Sequence, residues 1–129
     1  MKVLIAETDV IFAAKAQLAL EQAGCQVVVT EDPFRAWDLL QSDRPDLLIT
    51  RIVFGAGKVP GTALGARAYA DKIRVIYAPL GADAAVHASD EHGAVLIRPI
   101  AITELVATAQ RLLARHARAA EECVYELRV

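Results

Sequence analysis

Short apolar runs separated by longer stretches of mixed polarity set the pattern of this chain. The runs predict five strands, at Val3–Ala6, Cys25–Val29, Leu47–Ile49, Ile73–Ala78 and Ala94–Ile97. Leu47–Ile49 is too brief for a helix and is apolar at successive positions, which is typical of a central strand covered on both faces. The third strand is therefore expected near the middle of a parallel sheet.

Apolar residues at helical spacing follow the first two strands. The first predicted helix, Val10–Ala23, is closed by Gly24. The second begins at Asp32-Pro33, where aspartate is a good N-cap and proline suits the first helical position. The residues expected to face the core are Phe12, Ala16, Ala19, Leu20 and Ala23 in the first helix, and Phe34, Ala36, Trp37 and Leu40 in the second.

Three further helices are predicted in the second half of the chain. They cover Thr62–Asp71, Ala82–Glu91 and a last helix that begins near Thr103. The inner stripe of this last helix is Leu105, Ala109, Leu112 and Leu113. Five strands alternating with five helices predict an α/β, doubly wound parallel sheet with right-handed crossovers.

Composition narrows the classes of protein. A chain of 129 residues with 55% hydrophobic content fits one domain with a real core. The net charge is −2 and the basic residues are scattered, so there is no electrostatic basis for binding nucleic acid. No apolar run approaches the roughly 20 residues of a membrane span, and the start is too short for a signal peptide. Cys25 and Cys123 lack metal or redox spacing and are expected to be free thiols, which favours the cytoplasm.

Two local motifs suggest chemistry that their neighbours do not support. Gly55–Gly61 resembles a phosphate-binding loop, but Ile52 stands where that template needs glycine and Val59 where it needs Ser or Thr. A surface loop, which could serve in docking, is favoured. His87 and Glu91 share a predicted helix face but lack a third convergent metal ligand. No Ser/His/Asp or Cys/His grouping emerges, so no enzyme, metal or cofactor is predicted.

Four short segments together resemble a response-regulator receiver domain, the CheY-like module of two-component signalling. They are Glu7-Thr8-Asp9, Ala23-Gly24, Pro45-Asp46-Leu47 and Arg98-Pro99. The resemblance implies a flavodoxin-like (βα)5 fold, a three-layer α/β/α arrangement around a five-stranded parallel sheet in the order 2-1-3-4-5. It predicts a receiver-like domain over residues 1–118 and a C-terminal extension over residues 119–129 that could continue the last helix.

The positions that carry the chemistry of receivers are altered in this chain. In that family an aspartate after the third strand accepts a phosphoryl group, and an acidic pair after the first strand helps hold Mg²⁺. A Ser/Thr on the fourth strand follows the switch, and a lysine contacts the phosphoryl oxygens. The corresponding residues here are Arg51, the pair Glu7 and Thr8, Pro79 and Arg98. The aromatic switch position falls on Val95. The resemblance therefore implies a degenerate pseudo-receiver that lacks the phosphoacceptor.

Arginine at the acceptor position has direct chemical consequences. A guanidinium has no nucleophilic oxygen and stays protonated, so Arg51 cannot form an acyl phosphate. Glu7 is long enough to pair with Arg51 or Arg98, and we expect such an ion pair in place of the metal and phosphoryl group. Two alternatives remain open from the sequence. Arg51 could be a solvated strand-end residue, or Arg51, Arg98 and Glu7 could form a pocket for a small anionic ligand.

A receiver without phosphotransfer would act by contact with another signalling protein, such as a histidine kinase, a regulator or an output protein. The resemblance favours the face of the fourth helix, fifth strand and fifth helix, for a partner or for homodimerisation, and the residues expected there are His87, Glu91, Val95, Leu105 and Leu112. The last helix also carries a heptad-like seam at Leu105, Ala109, Leu112, His116, Ala119 and Cys123. This seam is either a docking helix or a frayed tail.

Overall fold

Five parallel strands form one sheet in the order β2-β1-β3-β4-β5. The structure is a computed structural model; it describes residues 1–55, 60–81 and 93–128, with side chains of the last helix described as far as residue 119. The predicted flavodoxin-like α/β order is confirmed. The predicted fourth helix with His87 and Glu91 lies outside the described residues, as does the middle of the glycine-rich loop.

The described strands are β1 (Lys2–Ala6), β2 (Gln26–Thr30), β3 (Leu47–Thr50), β4 (Arg74–Tyr77) and β5 (Ala94–Val95). The described helices are α1 (Val10–Gln22), α2 (Pro33–Ser42), α3 (Gly61–Ala70) and a C-terminal helix (Ile102–Arg128). All four residues of β3 are buried, because this strand lies between β1 and β4 and is covered on both faces. The predicted central position of this strand is confirmed.

Side-chain caps fix where the first two helices begin. The carboxylate of Asp9 accepts hydrogen bonds from the backbone N–H groups of Ile11 and Phe12, both at 3.1 Å. Asp32 accepts from the N–H of Phe34 at 2.9 Å, with Pro33 at the first helical position. Gly24, with φ of +96°, follows α1 in the left-handed conformation that glycine adopts without strain. These start and stop signals are where the sequence predicts them.

The helices cover the two faces of the sheet and enclose two apolar cores. On one face α1 and the C-terminal helix pack against β1, β3 and β4, and the predicted inner stripe of that last helix is buried, at Leu105, Ala109, Leu112 and Leu113. On the other face α2 and α3 enclose a second core that includes Leu40, Leu64 and Tyr77. The carboxyl ends of β1 and β3 emerge together between these layers.

Several details correct the sequence reading. Phe34 is 54% exposed, because the first turn of α2 directs it away from the core that Ala36 and Leu40 enter. Ala23 caps α1 and is exposed. β5 contains two residues rather than four; the N–H of Leu96 still donates to the carbonyl of Tyr77, and the chain bridges again at Arg98.

Among the helices that the structure describes, none is both long and apolar enough to cross a lipid bilayer.

Candidate functional site

Three charged side chains meet at the carboxyl edge of the sheet. Glu7 directly follows β1, Arg51 directly follows β3, and Arg98 lies three residues beyond β5. Parallel strands end at one edge of a sheet, so residues distant in sequence come together there. The backbone N–H of Arg51 donates to the carbonyl of Ala6 at 3.2 Å, which extends the pairing of β1 and β3 up to the site.

The carboxylate of Glu7 joins the two arginines. Its side chain is 2% exposed, and its Oε2 atom accepts hydrogen bonds from the N–H of Asp9 at 2.8 Å and from Nη1 of Arg51 at 3.2 Å. Its Oε1 atom lies 2.7 Å from Nη2 of Arg98. One buried carboxylate therefore bridges two guanidinium groups, and the ion pair that the sequence predicts is confirmed.

Arg98 is fixed on several sides. Its Nε donates to the carbonyl of Ala78 at 2.9 Å, and its guanidinium carbon lies 4.5 Å from the centre of the Phe12 ring, a cation–π contact. Nη1 lies 3.7 Å from Oδ2 of Asp9. Within the described residues neither Nη1 nor Nη2 makes a hydrogen bond of proper geometry, so these contacts of Arg98 with Glu7 and Asp9 are ion pairs by distance. Arg98 thus acts as a buried cation on an aromatic support.

Arg51 points into the same cluster. Its Nη1 donates to Oγ1 of Thr8 as well as to Glu7, and its side chain is only 16% exposed. The alternative of a solvated strand-end arginine is therefore wrong. Arg51 is thus a second cation bound to the carboxylate of Glu7.

Asp9, whose Oδ2 lies 3.7 Å from Arg98, is the fourth charged residue of the cluster, and the four charges cancel. Arg51 and Arg98 contribute two positive charges, and Glu7 and Asp9 contribute two negative charges. A balanced cluster attracts an external anion weakly, because no excess positive charge remains to repay desolvation of the ligand. The charge balance therefore counts against the alternative of an anion pocket built from Arg51, Arg98 and Glu7.

The donor set does not fit Mg²⁺ either. A hard cation requires several oxygen ligands with free lone pairs, whereas the carboxylate of Glu7 is occupied by two guanidinium groups and a backbone N–H. Among the described residues, no three His, Cys, Asp or Glu side chains converge as metal ligands.

The other predicted positions have separate places. Pro79 is buried beside the cluster, and its carbonyl accepts a hydrogen bond from the N–H of Arg98 at 2.9 Å. Val95 lies on β5 opposite Tyr77 and is half-buried.

Two residues of the predicted interaction face require correction. Leu105 is 0% exposed and Leu112 is 7% exposed, because both point from the C-terminal helix into the core. Neither can contact a partner while the domain is folded. Among the described residues of the predicted face, Val95 is the one that is partly exposed to solvent.

The opposite edge of the sheet holds a polar arrangement that the sequence reasoning missed. Oδ2 of Asp46 accepts a hydrogen bond from the N–H of Lys2 at 2.8 Å, and Oδ1 lies 3.0 Å from Nε2 of His116. Asp46 and His116 line a cavity of about 360 Å³ that is also lined by Arg44 and Arg67. The spacing between residues 46 and 116 carries no local signal, so only the folded arrangement reveals this contact.

The fold is that of receiver domains of known structure. The chain is similar to the signal receiver domain of a putative Luxo repressor protein from Vibrio parahaemolyticus, with 21% identity over 95% of both chains and a TM-score of 0.77. A putative response regulator from Chloroflexus aurantiacus is 25% identical over 88% of this chain and 97% of its own, with a TM-score of 0.75.

A third similar structure, NtrX from Brucella abortus, is 19% identical with a TM-score of 0.81, and this chain covers 30% of its length. No protein-family model and no curated protein matches the sequence. The chain therefore has the receiver-domain fold, with Glu7, Arg51 and Arg98 at the carboxyl edge of its sheet.

Proposed function

We propose that this chain is a phosphorylation-independent, receiver-like signalling protein that works by binding another protein in a two-component-type pathway. The observation that carries the proposal is the bridged cluster in which one buried carboxylate, Glu7, contacts both Arg51 and Arg98. The similarity to solved receiver domains supports the signalling context.

The cluster supports this function because it fills the place of an external group. Arg51 offers no oxygen to a phosphoryl donor, and its charge opposes a metal ion close by. The ion pairs with Glu7 connect the ends of β1 and β3 with the segment before the C-terminal helix. The domain therefore keeps one arrangement at this edge without phosphorylation.

The partner would be a histidine kinase, a regulator or an output protein of the cytoplasm. We propose that a surface around β5 and the C-terminal helix contacts either such a partner or a second copy of this chain. The outward residues of this region that the structure describes include Val95 and Ile97, and Ile97 is 52% exposed. The C-terminal helix, which runs to Arg128, offers a second element for docking.

An NMR titration with beryllofluoride and Mg²⁺ tests the proposal at the cluster. We expect the amide resonances of residues 7–9, 50–52 and 98 to stay in place, because Arg51 offers no acceptor carboxylate and the described residues form no metal site. The matched variant Thr8→Asp/Arg51→Asp supplies an acidic pair and an acceptor carboxylate. Its amide spectrum reports whether it folds, and in the folded variant the same resonances should shift on addition of beryllofluoride and Mg²⁺. Saturable shifts around Arg51 in the unaltered protein would overturn the proposal.

The rival function, a small anionic ligand sensor that uses Arg51, Arg98 and Glu7, has less support because the charges of the cluster cancel. Thermal unfolding with inorganic phosphate and with nucleotides separates the two functions. A rise in the unfolding temperature that disappears in Arg51→Ala would favour the sensor.

A further inference from the structure

A groove of about 400 Å³ lies between the beginning of α1 and the chain that leads into the C-terminal helix. Its walls are mostly apolar, and the apolar residues are Ile11, Phe12, Leu80, Pro99, Ile100 and Ile102. A volume of this order falls within the range of about 300–1,000 Å³ that small-molecule sites occupy. The groove thus has the size and the lining of a site for a compact apolar group.

Two of these wall residues are unusually accessible for large aliphatic side chains. Ile11 is 70% exposed and Leu80 is 45% exposed. They come from different elements, α1 and the segment after β4, and line the same depression. An apolar ligand seated there would remove both from water, at a gain of about 25 cal/mol per Å² of apolar surface covered.

The groove also presents hydrogen-bond donors with unused capacity. Lys15 lines it, is exposed, and has no ion pair or side-chain hydrogen bond among the described residues. Arg98, whose side chain is 6% exposed, also lines the groove, and its buried Nη1 atom has no hydrogen-bond partner in the described part of the chain. A buried donor without an acceptor is costly, so an acceptor oxygen placed there would be stabilising.

We propose that this groove binds a small amphipathic monoanion, an aliphatic or aryl carboxylate. The carboxylate is attracted by Lys15, whose charge is not part of the balanced cluster, and accepts hydrogen bonds from Lys15 and from Nη1 of Arg98, while the apolar body lies on Ile11 and Leu80. The carboxylate of Asp9 also lines the groove, 3.7 Å from Nη1 of Arg98, and disfavours ligands with two negative charges. This site goes beyond the signalling role proposed above and does not rest on it.

Octanoate is a suitable probe because it combines one carboxylate with an aliphatic chain. In a methyl NMR titration of the full chain, we expect saturable shifts of the methyl groups of Ile11, Leu80, Ile100 and Ile102. Acetate carries the charge without the body, and 1-octanol carries the body without the charge. Both should bind at least about tenfold more weakly than octanoate.

Two variants on the exposed surface of α1 test the contacts. Ile11→Ala and Lys15→Gln should each weaken octanoate binding by about fivefold or more, while the folded spectrum is retained. The matched controls are Leu18→Ala, an exposed leucine on α1 outside the groove lining, and Arg35→Gln, an exposed cation on α2. Absence of saturable shifts, equal binding of octanoate and 1-octanol, or equal losses in variants and controls would each overturn the inference.

Discussion

Oε1 of Glu7 lies 2.7 Å from Nη2 of Arg98, and the two side chains are 2% and 6% exposed. An ion pair this deeply buried contributes little net stability compared with a well-packed apolar pair, because both charges lose their hydration. Removal of one partner is a different matter, since it leaves the other charge buried without compensation. Single substitutions in the cluster should therefore lower the free energy of unfolding strongly.

Glu7→Gln tests this response with little change of shape. Loss of the carboxylate leaves Arg98 and Arg51 facing each other without their shared counter-charge. We expect the free energy of unfolding to fall by about 3–5 kcal/mol, measured by urea denaturation. Asp38→Asn, at an exposed position of α2, is the control and should change it by less than about 0.5 kcal/mol. Similar losses in the two variants would contradict the bridging role of Glu7.

The two arginines should differ in their cost of replacement. Arg98→Met removes the donor to the carbonyl of Ala78 and the cation over Phe12, besides the pair with Glu7, and we expect a loss of about 3 kcal/mol or more. Arg51→Met leaves Glu7 paired with Arg98 and acts at a side chain that is 16% exposed, so about 1–2 kcal/mol is expected. Urea unfolding of both variants measures the two losses in free energy of unfolding. A larger loss in Arg51→Met would show that the contacts of Arg98 with Ala78 and Phe12 contribute little.

Stability at high pH should depend on Tyr77. Burial raises the pKa of the Tyr77 hydroxyl above its ordinary 10.0, since the phenolate is poorly solvated there. The folded state then holds this proton more tightly than the unfolded chain. The resulting stabilisation is complete below about pH 10 and is lost as pH rises through the folded pKa.

Urea unfolding between about pH 9 and pH 11 measures this contribution. The decline should be shallower for Tyr77→Phe than for the unaltered protein. Tyr69→Phe, at a side chain that is 56% exposed, should keep the steeper decline. Equal slopes in the three proteins would contradict the prediction.

Gly65→Ala should destabilise α3, although alanine normally favours a helix over glycine by about 1 kcal/mol. A Cβ atom at Gly65 would overlap the hydroxyl and ring of the buried Tyr77. We expect a net loss of about 1–3 kcal/mol in thermal or urea unfolding. In the background of Tyr77→Leu, the same glycine substitution should cost less, because the obstructing ring is gone. An equal cost in both backgrounds would show that the ring is not the obstacle.

Much of the fold could be predicted because local signals and the global arrangement agree. Asp9, Gly24 and Asp32-Pro33 mark helix ends through their own backbone chemistry, and the apolar run of β3 requires cover on both faces. The pairing of Glu7 with the arginines was also predictable, because the residues follow strands that end at one edge. Charge and position were sufficient there, without any knowledge of side-chain packing.

The remaining features depend on packing between distant elements. Leu105 and Leu112 fit the core stripe of their helix, and the same residues cannot also form an outward face. Phe34 faces solvent since the cap at Asp32 fixes where the helix begins and hence which side faces the core. The stacking of Arg98 on Phe12 and the contact of His116 with Asp46 join residues about 70 or more positions apart, which no spacing rule encodes.

The burial of the C-terminal helix has a consequence for biosynthesis. Leu105, Ala109 and Leu112 complete the core on one face of the sheet, and they are among the last described core residues to leave the ribosome. Until they emerge, the part of this apolar face that the C-terminal helix covers stays exposed to solvent on the nascent chain. We therefore expect the domain to close only after the C-terminal helix has been translated, and chaperones to bind the exposed apolar face until then.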